Sequence, residues 1–141
     1  MSKKVFVTGA SGFTGSNLCR HLVERGDQVR ILARQSSNLD AVKDLDVEIV
    51  YGDLSNEDGL PANALKGIEI VYNVAALFRQ EGATRDVFFK ANADGTERLL
   101  KAALQADVAY FVHCSTGGVH GHIENPPATE KSPYNPGDWY Q

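Results

Sequence analysis

Short apolar runs alternate along this chain with stretches whose apolar residues recur at helical spacing. Val5–Thr8 is a short, mostly β-branched run and reads as a buried strand entered directly from the N-terminus. After glycines at 9, 12 and 15, residues 17–25 place Leu18, Leu22 and Arg25 on one helical face, and Gly26 is a natural stop. Gln28–Ala33 is a second strand, Ser36–Leu39 turns into a short helix, and Val47–Tyr51 alternates as a third strand closed by Gly52-Asp53. Asn56–Leu65 carries a weak helical pattern, and Pro61 near its middle either sits within it or marks a restart after a broken turn. Ile68–Val74 is the fourth strand and Val108–His113 the fifth. Between them lies the longest helical pattern, Val87–Ala106, where Leu99, Leu100, Ala103 and Leu104 recur at helix spacing. Strands alternating with helical segments predict an α/β fold with a parallel sheet and right-handed crossovers. Beyond Ser115, glycines at 117, 118 and 121 and prolines at 126, 127, 133 and 136 make the chain loop-like. A compact domain rarely carries roughly 25 residues of such sequence unless they form an active-site segment.

Composition narrows the class. The 141 residues are 43% apolar and 23% charged, ordinary for one globular domain with a real core. A net charge of −4 with no Lys/Arg cluster leaves no footprint for a phosphate backbone, so nucleic acid is not an expected partner. Cys19 and Cys114 form neither a CxxC pair nor a framework, which points to a reduced, cytoplasmic setting. From Met1 and Lys3-Lys4 the chain enters an apolar run too short for a signal peptide or a membrane span.

The strongest chemical signal is the turn Val5-Phe6-Val7-Thr8-Gly9-Ala10-Ser11-Gly12-Phe13-Thr14-Gly15. A glycine-rich turn after a first strand, opening a helix, suits a pyrophosphate. Gly9 permits the tight turn, Gly12 the close approach of a phosphate, and Gly15 the packing of helix on strand. Exposed amides at the helix start, helped by Ser11 and Thr14, supply donors. The spacing is GxxGxxG, one residue longer between the first two glycines than the usual dinucleotide fingerprint.

At these residues the sequence resembles the extended short-chain dehydrogenase/reductase family, most closely its NAD-dependent epimerase/dehydratase and dihydroflavonol-reductase-like branches. Thr8-Gly9-Ala10-Ser11-Gly12-Phe13-Thr14-Gly15 matches that family's TGxxGxxG turn. Asp53-Leu54 falls on its adenine-contacting acidic position, and Asn73-Val74-Ala75-Ala76 on its small-residue run beside the ribose and pyrophosphate. Asn92-Ala93-Asp94-Gly95-Thr96 matches the N-x-x-G-T helix motif, which implies that Asn92 supports the active site and borders the cofactor. Ser115-Thr116-Gly117-Gly118-Val119-His120-Gly121 resembles the S-[ST]-x-x-V-Y-G segment, with His120 where tyrosine is common. Thr116 falls on the catalytic Ser/Thr position, Ser115 is its rival, and Tyr140, 24 residues on, takes the place of the catalytic tyrosine. The family signature YxxxK puts a lysine four residues after the tyrosine, past Gln141.

The resemblance implies a three-layer Rossmann-type fold truncated after about the fifth strand. Residues 1–141 are expected to form an incomplete NAD(P)-binding domain, with the C-terminal substrate domain absent. The implied activity is hydride transfer at a secondary alcohol or ketone carbon of a small-molecule substrate. Tyrosine, with a pKa of about 10, is a weak base at neutral pH unless a nearby ammonium favours tyrosinate. Thr116 or Ser115 would hydrogen-bond the substrate oxygen. The end of the second strand, Leu32-Ala33-Arg34-Gln35-Ser36-Ser37, holds no acid, and Arg34 suits a 2′-phosphate, so NADP is expected ahead of NAD. Gly117-Gly118 stands where family dehydratases carry an acidic pair, which leaves epimerase and reductase open. Family dimers pack through the long helices, which implies a homodimer. His113, His120 and His122 lack a convincing fourth ligand, so no metal is expected. The alternative is a non-catalytic dinucleotide-binding sensor or scaffold. Such a protein would keep the glycine turn but lose the Ser/Thr and Tyr that this chain keeps.

Overall fold

Alternation within the strands decides the layering. In the computed structural model, which describes residues 2–78 and 80–141, strand β1 (Lys4–Thr8) turns Val5 and Val7 to one face and Phe6 to the other. Strand β2 (Gln28–Ala33) continues both faces, with Val29 and Ile31 beside the valines and Leu32 beside Phe6. Helix α1 (Phe13–Glu24) closes the first face with Cys19 and Leu22. Helix α3 (Gly95–Gln105) closes the second with Leu99 and Ala103, together with Leu54, Ala64, Leu65 and Ile68 from the preceding loops. The result is the expected three-layer α/β sandwich.

Strands β3 (Val47–Tyr51), β4 (Ile70–Asn73) and β5 (Tyr110–His113) complete a parallel five-stranded sheet of order β3-β2-β1-β4-β5. The chain proceeds outward from β1 to β3 and then returns to β1's other side. The order therefore reverses between β1 and β4, and a crevice opens at the carboxyl ends of those two strands. Ligands bind at such switch points in open α/β sheets.

Several elements differ from the sequence expectation. Helix α1 begins four residues earlier, at Phe13, and its inward face is Gly15, Ser16, Cys19 and Leu22 rather than Leu18, Leu22 and Arg25. Burial under the close-packed turn favours small residues there, and Leu18 packs at the margin. The short helix expected at Ser36–Leu39 is instead a single 3-10 turn at Asp40–Val42 that buries Val42. Residues 56–65 form no helix; Pro61, without an N–H, separates two sets of turns. Strands β4 and β5 are shorter than expected, starting at Ile70 and Tyr110. The long helix starts at Arg85 and is broken into three runs: α2 (Arg85–Phe88), a π turn (Phe89–Asp94) and α3. Met1 lies outside the described residues. Among those described, no helix is long and apolar enough to cross a membrane.

Candidate functional site

The glycine turn sits at the switch point. Gly9 takes φ 75°, and a Cβ there would lie 2.8 Å from the Ala75 amide nitrogen, so β1's exit is pressed against the loop leaving β4. A Cβ on Gly15 would stand 2.1 Å from the Gly9 carbonyl oxygen, which only a hydrogen can tolerate. Gly12 is the N-cap of α1, with no side-chain cap, and its own N–H donates to the Gly9 carbonyl at 3.0 Å. The first turn carries no acidic residue, and Gly12, Phe13 and Thr14 are exposed, which leaves the N-terminus of α1 open. Ser11 is exposed beside them. Two glycines that admit no side chain, and a bare helix N-terminus over them, fit a pyrophosphate.

Thr8 and Asn73, at the ends of β1 and β4, turn their side chains into the protein. Both are buried, at 0% and 1% exposure, and their polar atoms bond to protein. Thr8 Oγ1 donates to Asn73 Oδ1 at 2.8 Å and accepts the amides of Val74 (3.1 Å) and Ala75 (3.0 Å). Asn73 Nδ2 reaches Thr96 Oγ1 at 3.0 Å and His113 Nδ1 at 3.2 Å. These two side chains shape the groove from beneath and offer a ligand no polar atom of their own. Ala75 is half-buried against Gly9, and Ala76 is exposed at the rim.

Asn92 lies in the π turn, an irregularity common at functional sites. Its Oδ1 accepts from Leu77 N (2.7 Å) and its Nδ2 donates to Leu77 O (2.9 Å), clamping the β4 exit loop. Three residues on, Gly95 lets α3 close on Leu54, whose Cβ would be 3.2 Å from an added methyl. Arg98 Nη1 holds the Leu54 carbonyl oxygen. The Asn92-to-Thr96 motif is thus a set of braces behind the groove. The roles of Thr96 and Arg98 were not visible in the sequence, although Thr96 stands in the motif.

At the far end of the crevice, Arg34, Gln35, Ser36, Tyr51, Gly52, Asp53 and Pro61 line a cavity open to solvent. Asp53 Oδ1 accepts from both Ser55 N (2.9 Å) and Ser55 Oγ (2.7 Å). Burial pushes the Asp53 carboxyl up, but these bonds and the nearby Arg34 guanidinium outweigh it and hold the carboxyl below its ordinary range. An ionised carboxylate and a guanidinium therefore face one cavity.

At the near end, Thr116 caps a 3-10 turn (Gly117–His120), its Oγ1 accepting from Gly118 N at 3.1 Å. Ser115 is exposed next to it. The chain then loops and returns: Asn135 N bonds Val119 O at 2.8 Å, and Gln141 packs over Gly118. That return sets Tyr140 beside Phe78, ring centroids 4.8 Å apart and edge-on. Phe78, Phe88, Trp139 and Tyr140 line a cavity of about 280 Å³, rimmed by Gln80, Glu81 and Asp138. No pattern in the sequence marks this aromatic lining, because its members come from three separate segments. Of the histidines considered for metal, His120 instead meets Pro133 O at 3.2 Å and stacks near Tyr134. Among the described residues, no cluster of metal-ligating side chains forms.

The profile of the "NAD dependent epimerase/dehydratase family" matches residues 5–141. The chain is 37% identical over 138 residues to the sterol demethylase protein B of Methylococcus capsulatus, covering 96% of this chain and 42% of that protein. It is 38% identical over 122 residues to the 3-beta-hydroxysteroid dehydrogenase of Mycolicibacterium neoaurum, covering 82% of this chain and 32% of that one. Among solved structures, a short-chain dehydrogenase/reductase superfamily protein from Agrobacterium tumefaciens with bound NAD superposes with a TM-score of 0.83 at 32% identity, covering 97% of this chain and 40% of the other. The chain thus spans about two fifths or less of the length of these relatives.

Proposed function

The chain belongs to the NAD-dependent epimerase/dehydratase family, and from that premise we propose that it is the NAD(P)-binding part of an extended short-chain dehydrogenase/reductase that oxidises or reduces a secondary alcohol or ketone carbon, whether as a reductase or an epimerase. The observation that carries this reading is the pair Gly9 and Gly15, where no side chain fits beneath the open N-terminus of α1. The nicotinamide cofactor supplies the hydride chemistry; the residues here bind and orient it. The α1 amides and Ser11 hold the pyrophosphate, Asp53 and the Leu54 backbone flank the adenine, and Ala75 and Ala76 form the floor near the ribose. Tyr140 exchanges the proton of the substrate oxygen, and Thr116 or Ser115 donates a hydrogen bond to that oxygen. Asn92 is a positioning residue, acting through Leu77 on the loop that carries Phe78.

A substrate with an apolar body suits the cavity beside Tyr140, where Phe78, Phe88, Trp139 and Tyr140 make up four of the seven lining residues. The two relatives whose names refer to sterols and steroids support the same class. Arg34, at the cavity expected to take the adenosine end, supports NADP over NAD, through a guanidinium paired with a 2′-phosphate. A homodimer packed through the long helix is part of this reading, and Leu100 and Leu104, exposed on α3, are the side chains it would cover.

Fluorescence titration of the folded chain with NADPH and with NADH tests the proposal. Saturable binding, tighter for NADPH, is expected, and Arg34→Ala should weaken NADPH by about tenfold while leaving NADH within about twofold. Equal weakening of both would remove the 2′-phosphate assignment. No binding of either by folded protein would favour a scaffold without cofactor.

A further inference from the structure

The last residues of three neighbouring strands form one row across the sheet. Register pairs Thr8 of β1 with Asn73 of β4, and Asn73 with His113 of β5. Their side chains make a continuous hydrogen-bonded line along that row. The proton positions in this line follow from counting. A hydroxyl oxygen has two lone pairs and one proton. Both lone pairs of Thr8 Oγ1 are taken by the amides of Val74 and Ala75, so its proton must go outward, to Asn73. Asn73 therefore presents its carbonyl oxygen to Thr8 and its amide nitrogen to Thr96 and His113. Flipping the amide would aim N–H groups at a filled oxygen and strand the Thr8 proton in a buried site. With the amide fixed, His113 Nδ1 has to be an acceptor, and the ring proton sits on Nε2.

We infer that His113 is a positioning residue for the dinucleotide groove, holding Asn73 through an unprotonated Nδ1 and so setting the Val74–Ala75 loop against Gly9. The inference rests on the reading of that groove as the dinucleotide site. Asn73 orients Thr8, Thr8 holds the two loop amides, and Ala75 N stands where a Gly9 side chain would have been. His113 also ends β5, two residues before Ser115 and three before Thr116. The same line thus connects the cofactor loop to the strand that delivers the hydroxyl donors. A second tie, Cys114 N to Asn73 O at 3.0 Å, fixes the backbone there and leaves the side-chain row free to be tested alone.

The test joins a spectrum to a titration on the 141-residue chain. Long-range proton–nitrogen correlation on ¹⁵N-labelled protein should show the His113 ring proton on Nε2. His113→Phe keeps a ring but removes the acceptor; it should weaken the tighter of NADPH and NADH by about tenfold, with an unchanged circular dichroism spectrum. His113→Asn returns an acceptor, Oδ1, at the same branch of the side chain and should restore binding to within about threefold of wild type. A proton on Nδ1, or His113→Phe binding as well as wild type, overturns the inference while the cofactor reading stands. A folded wild-type chain that binds neither cofactor overturns the proposed function and the role of His113 with it. Should His113→Phe fail to fold, the wild-type tautomer and His113→Asn decide: an Nε2 proton with near-normal binding by the Asn variant upholds the inference, and an Nδ1 proton or lost binding ends it.

Discussion

A methyl group at residue 15 would lie 2.1 Å from the Gly9 carbonyl oxygen, whereas one at residue 117 would meet nothing within 4 Å. Gly15→Ala must therefore lift α1 from the turn or push the turn off β4, an overpacking that costs about 1–3 kcal/mol. Urea denaturation should show a lower midpoint for Gly15→Ala, together with loss of cofactor binding, and no such change for Gly117→Ala. An unchanged midpoint at residue 15 would mean that helix and turn are not in contact. Position and residue type made these glycines legible in the sequence, because only glycine satisfies a close approach of backbone to backbone. Thr8 and Asn73 were less legible. The motif marks them as candidates for the site, but whether a side chain faces ligand or protein depends on which strands lie beside it. The strand order, with β1 between β2 and β4, is not written in any local pattern.

Helix α3 shows the same division at the scale of an element. Leu99 and Leu100 are neighbours in sequence, and so are Ala103 and Leu104, yet only Leu99 and Ala103 are buried. Leu99→Ala, at 0% exposure in the core below β1 and β4, should cost about 2–5 kcal/mol, and Leu104→Ala, at 77% exposure, less than about 0.5 kcal/mol. Chemical denaturation of the two variants separates these values, and equal losses would contradict the assigned helix face. Periodicity located this helix because eleven residues repeat the pattern. It failed over residues 56–65, where the buried Ala64 and Leu65 sit on turns and packing alone supplies the apolar signal. The aromatic cavity was hidden for a related reason. Phe78, Phe88 and Trp139 converge only after the last loop returns over the 3-10 turn at Gly117–His120. The two thiols follow burial as well: Cys114 is exposed, while burial pushes the Cys19 thiol up to about 11. A thiol reagent at pH 8 should label Cys114 at once and Cys19 only with unfolding, and prompt double labelling would place Cys19 outside the core.

Across the whole molecule, the chain's start is tied down by charges that the fold collects from distant segments. Lys3 N donates to Asp27 Oδ1 at 2.9 Å and Arg25 Nε to Asp27 Oδ2 at 2.8 Å, which joins the entry of β1 to the turn before β2. Burial of Asp27 acts to raise its carboxyl, but these donors outweigh it and hold the group below its ordinary range. A carboxyl with a depressed folded pKa binds protons less readily in the native state than in the unfolded one. Its stabilisation is complete above the unfolded value of about 4 and is lost as pH falls through the lowered native value. Stability should therefore hold from neutral pH to about 5 and then decline toward pH 3, as the unfolded chain takes up protons that the native chain refuses. Asp27→Asn, which cannot ionise, should be less stable than wild type at pH 7, and the gap should narrow in acid as the wild type loses its own advantage. Urea midpoints for both proteins at pH 7 and pH 3 measure it. A gap that stays constant between the two pH values would show that the Asp27 charge is not what binds the ends of β1 and β2 together.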